Sequence, residues 1–257
     1  MKHVPVLGLL TLAAVPLLTI VSPAGLEEPG CVAHWRFTNG VKGVASGQDQ
    51  VMFDVSGHDQ NGLAVGGPVF QRVESDRFGL GLQFTDDRQR VFVPDDAAFA
   101  LTDSLTLEAW VRVDSYIASP SRLGYIVFRG DDRPGFDPWF LGVRDSGQLV
   151  FLIADELNHN AAVVSPEPLP LGRLIHVAGT FDGSSGQLQL FVDGERVASS
   201  DTSLRPAGVL GGPGAGIGIG NVQSGGDQGF RGLIGEVRVC GAALPPERFL
   251  IGRRAVR

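Results

Sequence analysis

Between Leu105 and Val113 the chain alternates without a break. Leu105, Leu107, Ala109, Val111 and Val113 take one side; Thr106, Glu108, Trp110 and Arg112 take the other. A period of two marks a strand with one buried face and fits no amphipathic helix. The same style recurs along the chain in short apolar runs bounded by Gly, Pro, Asp, Asn and Ser: Cys31–Phe37, Gly124–Arg129, Trp139–Arg144, Gln148–Ala154, Leu174–Phe181, Leu188–Val192, Arg196–Ser199, Ile217–Asn221 and Leu233–Val239. Asp182-Gly183-Ser184-Ser185-Gly186 reads as a hairpin turn, and Asp193-Gly194 as a tight type I′ turn whose two central residues need positive φ. Gly 36 and Pro 16 supply turns in number without reaching the composition of a low-complexity chain. Pro245 and Pro246 introduce one short helix, Glu247–Ile251, with Arg253 and Arg254 placed to complement its dipole. About a dozen short strands with no alternating βαβ pattern predict an all-β, antiparallel two-sheet sandwich of the jellyroll kind, closed by that helix.

The N-terminus stands apart from this pattern. Met1-Lys2-His3 is basic, Val4–Val21 is uncharged and almost wholly apolar, and Ser22-Pro23-Ala24 offers small residues for cleavage. Residues 1–24 therefore read as a secretory signal peptide; a membrane anchor at the lower limit of spanning length competes with it. Residues 25–30 form a short tether, 31–251 one domain, and 252–257 a tail. Export to an extracellular or periplasmic space follows if the signal is removed, with no membrane span left; retained, the same segment would anchor the chain at the cell surface. The two cysteines, Cys31 and Cys240, are then expected to bridge and staple the first strand to the last. Alternation puts Cys31 on the face of Ala33, Trp35 and Phe37 but Cys240 on that of Glu236 and Arg238. A bulge or strand end near Cys240 is needed to bring them together.

Charge narrows the partners. With Lys+Arg 21 against Asp+Glu 28 the net charge is −7, and no basic run interrupts it. Nucleic acid and anionic membrane surfaces are poor partners on this ground. An extracellular glycan or a protein remains.

Several phrases resemble the laminin G-like, concanavalin A-like jellyroll family of secreted bacterial proteins. They are Val32-Ala33-His34-Trp35-Arg36-Phe37, the loop Asp54–Gly62, Leu107-Glu108-Ala109-Trp110-Val111, the hairpin His176–Gly183 with Leu190-Phe191-Val192-Asp193-Gly194, and Gly232–Val239. The resemblance spans about residues 31–251. It implies a jellyroll whose members include lectins, glycosidases, lyases and adhesion modules. Two positions depart from it: Leu174 replaces an aromatic, and Gly235 replaces an aspartate that would help to hold a structural calcium.

Retaining glycosidases need two carboxylates about 5–5.5 Å apart, which relatives of this scaffold place as Glu-x-Asp-x-Glu on one strand. No such row exists here: Glu108 is flanked by Thr106 and Trp110, and Asp193 and Glu195 straddle a tight turn. No Gly-x-Ser-x-Gly elbow and no zinc-type histidine spacing is present. His34 and His176 sit inside strands, where packing or an edge position accounts for them. The glycines of Gly214–Gly220 fall at every second residue and mark a strand face approached by another backbone.

Three groups of residues carry the functional expectations. Asp131, Asp132 and Asp137, with Phe136 and Trp139, form a polar loop with two aromatic rings, suited to calcium or to a sugar ring; the alternative is that Arg133 neutralises one aspartate and Trp139 is core. Asp54, Asp59 and Asn61 form a second calcium candidate or an ordinary Asx-rich turn. Trp110 is a sugar platform or is covered by a loop. Asp155–Asn160 is a further polar loop that joins the first if both lie on one rim. The predicted function is a non-catalytic binding or adhesion module acting through loop rims, calcium-assisted; the alternatives are a glycan-cleaving hydrolase or lyase using Glu108 or Asp131, and a structural envelope protein.

Overall fold

The computed structural model describes residues 30–73, 79–118, 122–212 and 214–252. The expected signal segment, all of the tether but Gly30 and all of the tail but Gly252 lie outside this range. The strands, in chain order, are β1 (Cys31–Arg36), β2 (Val51–Met52), β3 (Gly62–Val65), β4 (Val69–Arg72), β5 (Leu80–Phe84), β6 (Arg90–Pro94), β7 (Ser104–Val113), β8 (Leu123–Gly130), β9 (Trp139–Arg144), β10 (Gln148–Ala154), β11 (Asn160–Pro168), β12 (Leu174–Asp182), β13 (Gln187–Val192), β14 (Glu195–Asp201), β15 (Gly216–Ile219) and β16 (Gly232–Cys240). They make two antiparallel sheets. The first runs β14-β13-β12-β7-β16-β5-β4, with β1 also paired to β16; the second runs β11-β10-β9-β8-β15-β6-β3-β2.

The core lies between the sheets. Leu105, Leu107, Ala109, Val111 and Val113 all face inward, as the alternation of β7 requires, and meet Leu141, Leu149, Phe151 and Ile153 of the second sheet. Asp193 (φ 51°) and Gly194 (φ 84°) both adopt the left-handed conformation expected of their turn. In β15 the alternate glycines are sterically required. A Cβ at Gly216 would strike the Val93 carbonyl, and one at Gly218 the carbonyl of Asn221.

Cys31 and Cys240 are bridged, with an S–S distance of 1.96 Å. The needed irregularity is present, but it lies in β1. The register steps from Cys31↔Cys240 to Ala33↔Val239, so one extra residue of β1 turns Cys31 to the outer face while Ala33 stays in the core. Cys31 therefore packs with Cys240, Ala178, Phe191, Leu244 and Phe249, away from Ala33, Trp35 and Phe37. A second bulge between Ile234 and Glu236 absorbs Gly235.

The C-terminal helix is replaced by two 3₁₀ turns, Pro246–Arg248 and Leu250–Gly252. Beyond the tight-turn bonds of the Arg248 and Phe249 amides to the Pro245 and Pro246 carbonyls, backbone groups there are drawn to the first sheet: the Leu250 amide donates to Glu108 (2.7 Å), and the Arg248 carbonyl accepts from Arg238 (2.7 Å). Thr106 fixes the preceding stretch by donating to the Ala242 carbonyl (2.6 Å) and accepting from the Leu244 amide (2.9 Å). Residues 241–252 thus form a strap across the outer face of β7, β12 and β16.

The bridge closes a loop with a sequence separation of 209, which restrains the unfolded chain by about 5 kcal/mol in the entropic account. Urea unfolding of Cys31→Ser/Cys240→Ser should show a stability loss of that order with little change in native circular dichroism; a loss below about 1 kcal/mol would contradict it.

Candidate functional site

One end of the sandwich gathers three loops: 131–138 between β8 and β9, 155–159 between β10 and β11, and 202–212 following β14. A buried guanidinium anchors the last of them. Arg129 holds Asp95 through two hydrogen bonds (2.8 and 3.0 Å) and donates to the carbonyls of Gly208 (3.0 Å) and Ala207 (3.4 Å). The Ala207 amide donates to Ala154 (2.7 Å), and the Gly208 amide to the Glu156 carboxylate (2.8 Å), tying this loop to the second. The Gly212 amide donates to Asp131 (3.3 Å), tying it to the first.

Each loop is also braced internally. The Asp131 carboxylate accepts from the Arg133 amide (3.0 Å) and guanidinium (2.6 Å), and that guanidinium lies 3.7 Å over the Phe136 ring. Burial raises the Asp131 pKa, but Arg133 outweighs it and holds the carboxyl below the ordinary range. Asp155 accepts from the amides of Leu157 and His159 (both 2.9 Å) and from the His159 ring (3.1 Å), so its carboxyl is likewise held low despite burial. Asp137 is the exception. Burial pushes its pKa up to about 6. Facing solvent on this rim are Asp132, Glu156, Asn158 and His159, with Leu157 and Val209 at 77% and 75% exposure.

The loops of Asp131 and Asp155 thus share one rim. The aromatic residues expected beside them do not face outward: Trp139 is wholly buried in the core, and Phe136 lies beneath Arg133 at 5% exposure. Trp110 sits on the other sheet, packed with Val73, Leu233 and Leu174 and edge-on to His176 at 5.5 Å. Asp131 is spent on Arg133, as the neutralised alternative has it.

The loop of Asp54, Asp59 and Asn61 lies beside β1. The Asp54 carboxylate accepts from the amides of His34, Ser56 and Gln60 (2.9, 2.9 and 3.0 Å) and from the Ser56 hydroxyl (2.8 Å), while Asn61 Oδ1 accepts from the Asp54 amide (2.9 Å). Asp59 takes a positive φ of 58° at the turn. With the oxygens of Asp54 and Asn61 occupied by backbone donors, this set does not fit calcium. Among the described residues no group of three or more His, Cys, Asp or Glu side chains could hold a metal ion.

Sequence reasoning missed a buried polar cluster under the strap. Glu108 accepts from Arg238 Nε (2.6 Å) and the Leu250 amide and pairs with His176 Nε2 (2.8 Å); beside it His34 Nε2 meets Glu236 at 2.5 Å. Glu108 and His176 are at 0% exposure and Arg238 at 1%. Burial raises the Glu108 pKa, but His176, Arg238 and the amide override it, and the carboxyl is held low. A buried carboxylate so paired is a structural ion pair and presents no face to a sugar. The sequence carried a signal, since all three residues lie on outward faces of their strands, but it takes the strand order β12-β7-β16 to bring them together.

A laminin G-type family model, described as the concanavalin A-like lectin/glucanases superfamily, matches residues 85–248. The chain belongs to that superfamily. No curated protein matches it in sequence. Among solved structures, the binding domain of Paraclostridial Mosquitocidal Protein 1 is similar with a TM-score of 0.61 at 14% identity, covering 80% of this chain and 50% of that one. Trypanosoma rangeli sialidase, in complex with sialic acid, gives 0.59 at 19%, covering 88% and 33%. The binding domain of botulinum neurotoxin DC, in complex with SialylT, gives 0.60 at 12%, covering 86% and 50%. The chain therefore spans a third to a half of the length of these proteins. At such identities the likeness shows the β-sandwich fold alone. Among the described residues no helix is long and apolar enough to cross a membrane.

Two outcomes follow from the polar groups. Glu108→Ala leaves Arg238 buried without its carboxylate and should cost about 3–5 kcal/mol in denaturant unfolding; a loss under 1 kcal/mol would refute the buried pair. For Asp137, the folded state holds a proton that the unfolded chain releases between pH 3.8 and about 6, so native stability falls as pH rises through that window. Asp137→Asn should therefore raise the melting temperature by several degrees at pH 8 and leave it unchanged at pH 3; equal effects at both pH values would contradict this sign.

Proposed function

We propose that this chain is a non-catalytic carbohydrate-binding module that engages its ligand at the rim formed by loops 131–138, 155–159 and 202–212, and that it works outside the cytoplasm, where a bridge such as Cys31–Cys240 persists. One observation carries the reading. The rim is pinned from beneath by Arg129, yet it leaves Leu157 and Val209 bare beside the polar groups of Asp132 and Asn158. Fixed loops lower the ordering cost of binding. Aliphatic surface flanked by hydrogen-bonding groups suits the mixed apolar and hydroxyl faces of a sugar. The superfamily supplies a scaffold with lectins among its members, and similar folds occur in two toxin binding domains. Of the two carboxylates raised for cleavage, Glu108 is enclosed by Arg238, His176 and the strap, and Asp131 is paired with Arg133, which favours binding over hydrolysis. Calcium has no part in this reading, because Asp54 and Asn61 serve their own turn.

A glycan array with the full chain tests it. Neutral oligosaccharides are expected to bind, and Leu157→Ala/Asp132→Asn should weaken them at least tenfold without shifting the melting temperature. Unchanged binding by that variant would move the site elsewhere, and release of reducing ends from any polysaccharide would overturn the non-catalytic assignment.

A further inference from the structure

A second polar site lies far from the rim, on the outer face of the first sheet. A groove of about 380 Å³ is lined by Lys42, Gln71, Arg72, Gln83, Thr85 and Arg112. Its lining comes from Gln71 and Arg72 of β4, Gln83 of β5 and, across the intervening β16, Arg112 of β7. In a chain of net charge −7, three cations converge on one groove.

The groove is organised in advance of any ligand. Arg112 donates to Asp114 through Nε (2.7 Å) and Nη2 (3.1 Å), and also to the Gln83 side chain (3.1 Å). Gln83 in turn donates to Asp114 (2.8 Å), which closes a three-residue ring and fixes the guanidinium. Arg112 outweighs the effect of burial on Asp114, whose carboxyl is held low and charged. The segment bearing Lys42 is tied to β4 by the Gly43 amide on the Phe70 carbonyl (2.6 Å) and the Phe70 amide on the Val44 carbonyl (3.0 Å). Among the described residues neither Lys42 nor Arg72 has an ion-pair partner. With Asp114 set against Arg112, the charges of Lys42 and Arg72 stand without a carboxylate partner among the described residues.

We propose that this groove binds the carboxylate of an acidic saccharide. Two cations with no ion-pair partner among the described residues, beside a fixed guanidinium, favour one anionic group. The amides of Gln71 and Gln83 and the Thr85 hydroxyl supply the neutral hydrogen-bonding groups that a hydroxyl-rich ring requires. A long polyanion does not fit this pattern, because beyond the groove it would run onto an acidic protein. Arg112 and the rim lie toward opposite ends of β7, about 26 Å apart along the strand from Ser104 to Arg112 at the usual rise. The groove is therefore a site separate from the rim, and its occupancy does not depend on the rim reading.

Calorimetric titration of the full chain decides the matter, using a glucuronate tetrasaccharide and its carboxyl-reduced neutral counterpart. The acidic form should bind at least tenfold more tightly than the neutral one, with the difference shrinking as salt rises from 50 to 500 mM. Lys42→Gln/Arg72→Gln, two exposed positions whose change should leave the melting temperature in place, is expected to abolish that preference; Leu157→Ala/Asp132→Asn at the rim is expected to keep it. Equal affinity for the two tetrasaccharides, no binding of either, or an undiminished preference in the groove variant would overturn the proposal. So would loss of the preference in the rim variant. A glutamate-rich peptide that competes as well as the tetrasaccharide would show that the groove reads acidic peptides and not saccharides.

Discussion

The position of β16 in the middle of the first sheet sets the terms for the rest of the molecule. It pairs along its length with β7 on one side, and on the other with β5 at its start and β1 at its end. Without it the sheet divides into a β14-β13-β12-β7 block and a β5-β4 edge, and the inner faces of β7 and β1 lose a flank. The final strand must therefore insert between elements more than a hundred residues earlier in the chain. Such non-local pairing makes β-sandwiches slow to close. The same strand carries Arg238, whose side chain holds Glu108 and, through Arg248, the strap. Sheet order and outer covering thus depend on one element.

The legible parts of the fold were those where local chemistry and final environment agree. β7, β9, β10 and β12 to β14 have clear apolar periodicity or Asp-Gly turns, and their runs correspond to the observed strands within a residue or two. β2 to β6 and β11 escaped notice for identifiable reasons. β3 is four residues long and opens on a glycine, β5 carries Gly81, and β6 ends in Pro94. β11 contains Pro166 and Pro168, which its place at the sheet edge tolerates. The bridge was legible as a pairing, and so was the need for an irregularity near Cys240, but not that it would lie in the paired strand β1. Nothing in the residues around Val32 marks it as the extra one.

The candidate sites divide in the same way. Loop composition identified the Asp131 and Asp155 segments, but their meeting on one rim depends on bonds that no local pattern encodes: the Arg129 side chain donates to the Ala207 and Gly208 carbonyls, and the Glu156 carboxylate accepts from the Gly208 amide. Phe136 and Trp139 were legible as aromatic and not as covered, because the depth of a strand end is a tertiary property. The groove of Lys42, Arg72 and Arg112 gave no sequence signal, since its cations lie on separate segments and no basic run joins them. Acidic balance describes the whole surface; it does not forbid a local reversal where Asp114 is the facing carboxylate and is already engaged.

The bulge that turns Cys31 toward Cys240 also decides how this domain would behave under tension. A pull applied through the segments flanking the two cysteines enters at one sulfur and leaves at the other. The polypeptide from Val32 to Val239, with both sheets and the core, lies outside that path. Stretching would peel the strap of residues 241–252 from β7 while the sandwich stayed folded. A domain hung between two anchored neighbours would then act as a covalent link of fixed length, passing load without exposing its interior.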